Sequence, residues 1–141
     1  MLSIELVPKT AWYTNLRSEL SKDKWDVLRR KTYKRANYRC EICGGVGDKH
    51  PVDCHEEWEY DDTNYIQKFI KLIALCPKCH KVKHIGLSKI RGEYDSCLLH
   101  LMRVNNWNLS KAEKYIQESF KLWEERSKHK WVRNYEWLKN L

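Results

Sequence analysis

Residues 76–86 read CPKCHKVKHIG, and together with CEIC at residues 40–43 they decide the fold. Each segment carries two cysteines with two residues between them, and 32 residues lie between the pairs. Four thiolates at this spacing are typical of a closed, tetrahedral structural zinc site. The spacing therefore predicts one zinc ion bound by Cys40, Cys43, Cys76 and Cys79. A disulfide or four unrelated buried thiols are the alternatives, and the absence of a secretory signal disfavours them.

The overall composition predicts one globular domain. The chain has 141 residues, 42% of them hydrophobic and 12% aromatic, with only five glycines and three prolines. This is enough apolar material for a core and excludes a low-complexity chain. No apolar run approaches the roughly 18 residues that span a bilayer, and residues 1–9, MLSIELVPK, do not resemble a secretory signal. We expect a soluble, cytoplasmic protein without a membrane partner.

The net charge of +8 is distributed in blocks. Residues 22–39 hold eight Lys/Arg and two Asp, residues 40–62 hold one Lys and eight Asp/Glu, and residues 68–91 hold seven Lys/Arg and no acid. Two basic flanks attract a polyanion, and carboxylates near histidines suit a divalent cation. Charge alone is equally consistent with three solvated faces.

Hydrophobic periodicity predicts an α+β fold that is mostly helical. A basic helix follows Ser21, an irregular β-hairpin lies between the Cys pairs, and a helix begins at Pro77 and is closed by Gly86. Residues 92–141 read as a helical scaffold, with Trp131, Tyr135 and Leu138 in a final helical turn. The expected single domain thus comprises a basic helical segment (1–39), a zinc-braced core (40–91) and the scaffold.

Three histidines near the second Cys pair are not used by the predicted zinc site. His80 and His84 are spaced i, i+4, so both imidazoles project from one helix face. If the hairpin packs across that face, Cys54 or Asp53 joins them as a ligand of a second, open metal site, and His55 is free to act as a general base. Taken singly, each histidine is more often a surface or core residue than a ligand, and the link to the Cys pairs is what favours a metal site.

The phrases NYRCEICGG, DCHEEWEYDD and LIALCPKCHKVKHIG resemble the HNH endonucleases, in the subgroup whose ββα-metal (treble-clef-like) core is braced by a four-Cys zinc. The resemblance covers roughly residues 21–86. It implies a phosphodiester hydrolase with His55 as general base, and with His80 and His84 binding a catalytic divalent ion (Mg²⁺, Mn²⁺, Ni²⁺ or Zn²⁺). It further implies that Cys54, or Asp53 in its place, completes the ligand set.

One position departs from the family pattern. The Asn that usually braces the hairpin loop falls nine residues before the last His, where this chain has Lys71, although Asn64 or Gln67 is close by. Two functions therefore remain: a nuclease acting on double-stranded DNA, and a zinc-braced nucleic-acid-binding or adaptor module without catalysis. In either case we expect phosphate contacts from five basic side chains, namely Lys24, Arg29, Arg30, Lys81 and Lys83.

Overall fold

The computed structural model describes residues 1–12 and 15–137. Over these residues the fold is α+β, with six α-helices, one short 3₁₀ helix (Lys9–Ala11) and a three-stranded sheet. In chain order the elements are α1 (Leu16–Glu19), α2 (Lys22–Arg35), β1 (Asp53–Asp61), β2 (Ile66–Leu75), α3 (Pro77–Lys83), α4 (Ile85–Ile90), α5 (Tyr94–Asn105), α6 (Leu109–Arg126) and β3 (Val132–Asn134).

The basic helix predicted after Ser21 is confirmed as α2. The Ser21 hydroxyl accepts a hydrogen bond from the Lys24 backbone N–H at 3.2 Å, which satisfies one of the free donors of the first turn. Trp25, Leu28 and Thr32 form the buried face of the helix, and its remaining residues are half-buried or exposed. The helix therefore presents a basic outer surface.

The hairpin is also confirmed, and its strands are long. Strands β1 and β2 pair antiparallel from Asp53 opposite Leu75 to Asp61 opposite Ile66, with one register shift after Glu57. The connecting turn is held by the Asp61 carboxylate, which accepts hydrogen bonds from the backbone of Thr63 and from both nitrogens of Asn64. Asp61 and Asn64 thus brace this turn locally.

The hairpin separates two hydrophobic clusters, because successive side chains alternate between its faces and the register shift that leaves Ile70 unpaired returns Phe69 to the face of Leu72. Phe69 and Leu72 pack with Trp25 and Leu28 on the α2 side. Ile73 and Leu75 pack with helices α3, α5 and α6 in a larger cluster on the other side, which also takes in Leu2 from the amino terminus. The residues that reach α3 are therefore those on the second face.

The helix that begins at Pro77 ends earlier than predicted. Helix α3 stops at Lys83, His84 has the non-helical angles φ −106° and ψ 44°, and α4 starts at Ile85. Gly86 lies inside α4, so it does not close the helix as the sequence suggested. His84 consequently lies at a break between two helices, where its side chain is not confined to a regular helical face.

The carboxy-terminal region is helical in α5 and α6 but not throughout. Val132–Asn134 forms β3, which pairs in parallel with the start of β2, so the predicted final helical turn is wrong over these residues. Leu138 lies outside the described residues. Among the helices of residues 1–12 and 15–137, none is long and apolar enough to cross a membrane.

Candidate metal centres

The four predicted zinc ligands lie together at the start of α3. The sulfur atoms of Cys40, Cys43, Cys76 and Cys79 are all within 4.8 Å of one another, and the Cys43 and Cys76 sulfurs are 3.5 Å apart. A tetrahedral site with Zn–S bonds near 2.3 Å places its sulfurs roughly 3.8 Å apart. The donor set and its spacing therefore fit a metal ion such as zinc.

Backbone N–H groups point at these sulfurs, as the thiolate form requires. Cys43 N lies 3.5 Å from Cys40 Sγ, Gly45 N lies 3.4 Å from Cys43 Sγ, and Cys79 N lies 3.4 Å from Cys76 Sγ. A hydrogen bond from the Cys79 thiol lowers the pKa of Cys40 to about 4, and the same contact raises the pKa of Cys79. The cluster thus stabilises negative charge that a bound cation would neutralise.

A fifth polar residue contacts this cluster from α5. His100 Nε2 lies 3.1 Å from Cys79 Sγ, and the Arg103 guanidinium lies 2.9 Å from His100 Nδ1. Because arginine only donates, Nδ1 accepts and Nε2 carries the hydrogen. His100 is therefore held as a neutral donor to the Cys79 sulfur, consistent with its lowered pKa, which burial causes. Sequence reasoning gave His100 no role.

The second cluster consists of three imidazoles, contributed by His55, His80 and His84. One ring nitrogen from each lies within 4.8 Å of the others, and the ring centroids are 4.9–5.3 Å apart. His55 comes from the face of β1 turned toward α3, whereas His80 and His84 come from α3 and its end. All three line one cavity of about 240 Å³ that opens to solvent. Neutral imidazoles suit Zn²⁺, Ni²⁺ and related ions, and three of them leave a coordination position open.

Carboxylates orient two of the three rings. Glu5 Oε2 lies 2.8 Å from His55 Nε2, and Asp53 Oδ2 lies 3.2 Å from His80 Nδ1. An ionised carboxylate only accepts, so each of these nitrogens carries a hydrogen, and in the neutral form of the ring the opposite nitrogen has a free lone pair. This is the carboxylate–histidine arrangement that commonly supports metal ligands. Burial, followed by the neighbouring His55 and His80, lowers the pKa of His84 to about 3, so the His84 ring is neutral.

Glu5 is itself held by a buried lysine. Lys83 Nζ donates to Glu5 Oε1 and to Ser3 Oγ, both at 2.8 Å. Burial by itself raises the pKa of Glu5, but hydrogen bonds and charges from His55 and Lys83 outweigh burial and hold it below its usual value. The Lys83 side chain is only 2% exposed. The prediction that Lys83 contacts nucleic acid is therefore wrong, because its ammonium group is buried and forms an ion pair with Glu5.

The two residues predicted to complete the ligand set are not part of the three-histidine cluster, although Cys54 lines the same cavity. Cys54 belongs to the opposite face of β1, where it packs against the cluster that includes Trp25 and Leu28, and burial raises its pKa to about 11. Asp53 bonds His80 and, through its other oxygen, His50 at 2.6 Å. The structure thus makes His55 the third member of the cluster with His80 and His84, while Asp53 contacts only the outer nitrogen of the His80 ring.

The other four basic residues predicted to contact phosphates differ in whether they already form an ion pair within the protein. Lys24 and Arg30 are exposed on α2. Arg29 is bound to Asp26 at 2.8 Å, and Lys81 forms an ion pair with Glu93. The exposed basic face of α2 is completed by Lys22, Lys31 and Lys34.

Two carboxylates of the histidine cavity were missed by sequence reasoning. Glu5 lies 50 residues before His55, in a segment without any motif. Glu56 follows His55 directly and lines the same cavity, where burial raises its pKa. Its Oε1 accepts a hydrogen bond from the Arg17 backbone N–H at 3.2 Å. The HE pair at residues 55–56 is the one local signal for it.

Comparisons of the chain with protein-family models, curated proteins and solved structures give no match. The interpretation of both centres therefore rests on their geometry.

Proposed function

We propose that this chain is a metal-dependent endonuclease of the HNH type that hydrolyses phosphodiester bonds, with double-stranded DNA as the expected substrate. The observation that carries the proposal is the cluster of three imidazoles, two of them oriented by carboxylates, in an open cavity. The chain order also supports it: a hairpin carries His55, and a helix that starts in the four-Cys cluster carries His80 and ends at His84. This order agrees with the zinc-braced ββα-metal fold that the resemblance implies.

His80 and His84 would hold a divalent ion, which would supply Lewis-acid stabilisation of the charge on the phosphate and the leaving oxygen. The hydrogen bond from His80 Nδ1 to Asp53 keeps the His80 ring in the required tautomer. Nitrogen donors favour Ni²⁺, Zn²⁺ or Mn²⁺ over Mg²⁺, which prefers oxygen ligands. We therefore expect the first three ions to support more cleavage than Mg²⁺.

The role of His55 follows from its neighbours. The resemblance assigns it as general base, and its bond to Glu5 would hold it in a suitable tautomer. Its ring is, however, as close to His80 and His84 as those rings are to each other, within half an ångström. We infer that His55 is the third ligand. Glu56, which lines the same cavity, is then the carboxylate placed to accept the proton of the attacking water.

Substrate binding is assigned to the exposed basic face of α2. Its lysines and arginines would contact phosphates, which position a duplex without reading its sequence. Replacing Lys24 and Arg30 by Ala should then reduce the slope of log affinity against log salt by about one unit per lost contact.

A catalytically inactive nucleic-acid-binding or adaptor module is the second candidate. The observation in its favour is Lys71, which stands where the family has its bracing Asn and has no acceptor atom. The turn is nevertheless held by Asp61 and Asn64, so the missing Asn removes only one argument for activity.

Plasmid digestion separates the two candidates. Purified protein with its four-Cys site loaded is incubated with supercoiled plasmid in EDTA, Mg²⁺, Mn²⁺, Ni²⁺ or Zn²⁺. Nicking that needs an added ion and is lost in His84→Ala supports the nuclease. Plasmid that is bound in a gel-shift assay but stays supercoiled with every ion supports the adaptor and overturns the nuclease.

A further inference from the structure

A second cavity opens beside the histidine cavity. It has a volume of about 680 Å³, and Glu5, Glu56, Trp58 and His84 line both cavities. The two cavities therefore adjoin, and a molecule whose reacting group lies at the imidazoles needs to extend only past these shared side chains to reach the larger cavity. We call the larger cavity the aromatic groove.

The aromatic groove is lined mainly by large apolar side chains that are incompletely covered. Trp12 is 61% exposed and stacks on Trp123, with ring centroids 6.2 Å apart and planes at 27°. Leu87 and Ile90 of α4 also line it, and Ile90 is 84% exposed. Within residues 1–12 and 15–137 the ring contact seen for Trp12 is the stack on Trp123, and its exposed surface is available to a flat partner.

Cations lie over the rings of this groove. Lys9 Nζ lies 5.1 Å from the Trp123 ring centroid, Lys89 Nζ lies 5.6 Å from that of Phe120, and the Arg133 guanidinium lies 5.4 Å from that of Trp58. The two carboxylates on the shared wall are engaged, Glu5 by His55 and Lys83, and Glu56 by the Arg17 backbone. Flat aromatic surfaces combined with cations are typical of sites that stack nucleobases next to a bound phosphate backbone.

We propose that the aromatic groove binds an unpaired nucleobase adjacent to the phosphate at the histidine cavity. The double-stranded substrate of the proposed function is then narrowed to a duplex with an unpaired nucleotide beside the bond that is cut, and a single strand, whose bases are all unpaired, should bind in the same way. This inference rests on the proposed function. A base inside a regular duplex is stacked on its neighbours and must be extruded before it can enter such a groove.

The test measures binding without any added divalent ion, so that cleavage is not needed for the readout. Fluorescence anisotropy gives affinities for three labelled probes: a 12-mer oligothymidylate, a 12-base-pair duplex, and the same duplex with one bulged nucleotide. Tryptophan fluorescence is recorded in parallel. We expect the oligothymidylate and the bulged duplex to bind more tightly than the regular duplex and to quench tryptophan emission.

Trp12→Ala is expected to weaken oligothymidylate binding roughly tenfold to a hundredfold, because one base–aromatic stack is lost. Trp12→Phe keeps a ring and should retain most of the affinity.

Ile90→Glu places a carboxylate in the groove at an exposed position, so it weakens binding without a folding defect. Leu99→Ala, an exposed residue of α5 outside the groove, is the matched control and should bind like wild type. The salt slope should not change in Trp12→Ala, since no phosphate contact is removed.

The outcomes separate this inference from the proposed function. Trp12→Ala and Ile90→Glu proteins that bind oligothymidylate like wild type overturn the groove, even if plasmid is still nicked. Loss of binding in both variants supports the groove, even if no cleavage is found with any ion. Preference for the regular duplex without tryptophan quenching also overturns it.

Discussion

The two candidate metal centres share helix α3 but differ in every property that decides what a metal site does. At the start of α3 four sulfurs close a shell that backbone N–H groups surround, and three of the four cysteines are buried. At its end three imidazoles face an open cavity and two are held by carboxylates. A complete shell stabilises the fold, whereas an incomplete one leaves a position for substrate. One short helix thus joins a candidate structural site to the proposed reactive site.

Each centre also has an outer layer of supporting side chains, and the two layers differ in charge. His100 and Arg103 place neutral and positive groups behind Cys79, which stabilises a thiolate. Glu5 and Asp53 place negative groups behind His55 and His80, which makes the imidazoles better ligands for a cation. The predictions below test this contrast, in order of decreasing effect.

Cys43→Ser should have the largest effect, because it removes a zinc ligand and with it a large part of the stability. Structural zinc in small modules contributes on the order of 10 kcal/mol, which is comparable to the stability of a whole domain. We expect loss of zinc by elemental analysis and loss of the cooperative thermal transition. Cys54→Ser is the matched control, since Cys54 packs on the α2 side of the hairpin and should keep its zinc. A folded, zinc-free Cys43→Ser protein would contradict the structural assignment.

His84→Ala should abolish the activity and leave the fold intact. The substitution removes one nitrogen ligand of the open site, so the second ion is lost while the four-Cys zinc stays bound. Without Lewis-acid stabilisation we expect nicking to fall by at least about a thousandfold. Metal stoichiometry should decrease from two ions per chain to one with an unchanged melting curve. His129→Ala, at a half-buried histidine that stacks on Tyr65, serves as the control and should keep both ions.

His55→Ala and Glu56→Gln together assign the general base. Both should reduce nicking, by roughly a hundredfold to ten-thousandfold. If His55 is the third ligand, His55→Ala also weakens binding of the second ion, whereas Glu56→Gln leaves it bound. The affinity of each variant for the second ion, measured by isothermal titration calorimetry, distinguishes a lost ligand from a lost base. An inactive His55→Ala protein that binds the ion with wild-type affinity would restore His55 as the base and remove it from the ligand set.

Glu5→Gln should lower the affinity for the second ion by about tenfold to a hundredfold, the usual effect of removing a carboxylate that is hydrogen-bonded to a ligating histidine. The variant also leaves the buried Lys83 charge without its partner, which destabilises the fold by itself. The double variant Glu5→Gln, Lys83→Met removes both charges and separates the effects. If the double variant recovers stability but not ion affinity, Glu5 acts on His55; recovery of both would reduce Glu5 to a partner of Lys83.

The elements that could be predicted from the sequence are those with local signals. The capping hydroxyl of Ser21 and the buried face at Trp25 and Leu28 lie within one helix, and both are confirmed. The four cysteines could be grouped because zinc ligands have a characteristic spacing. The i, i+4 spacing of His80 and His84 likewise placed both rings at one site.

Contacts between distant segments could not be predicted. Glu5 reaches His55 across 50 residues, and His100 reaches Cys79 across 21. Lys83 has the sequence pattern of a surface lysine, and its burial is compensated by the ion pair with Glu5 and the hydrogen bond to Ser3. Strand β3 depends on a parallel pairing with β2, for which three residues carry no usable periodicity.

The choice between Cys54 and His55 shows the same limit within one strand. Alternation places the two side chains on opposite faces, but the pattern does not say which face meets α3. That is decided by Phe69 and Leu72, which pack toward Trp25 and leave the other face to α3. The predicted residue, Cys54, is one position away from His55, the residue that the structure places in the cluster, and an error of one residue is what an undetermined strand face produces.

Lys71→Asn should have the smallest effect. The family pattern suggested that an Asn here would brace the hairpin turn and raise activity. In the structure Lys71 lies within β2, opposite Glu57, and its Nζ is 3.9 Å from the Glu57 carboxylate. The side chain is 56% exposed, so solvent screens the pair and its loss costs less than about 1 kcal/mol. The turn itself is held by the hydrogen bonds of Asp61. Position 71 lies within the strand and takes no part in these bonds. We therefore expect unchanged nicking rates and a melting temperature within a few degrees of wild type.

Asp61→Ala is the matched comparison for this variant. It removes the turn's hydrogen bonds and should lower stability more than Lys71→Asn does. A several-fold gain in nicking by Lys71→Asn would show instead that the brace of the HNH pattern acts at this position.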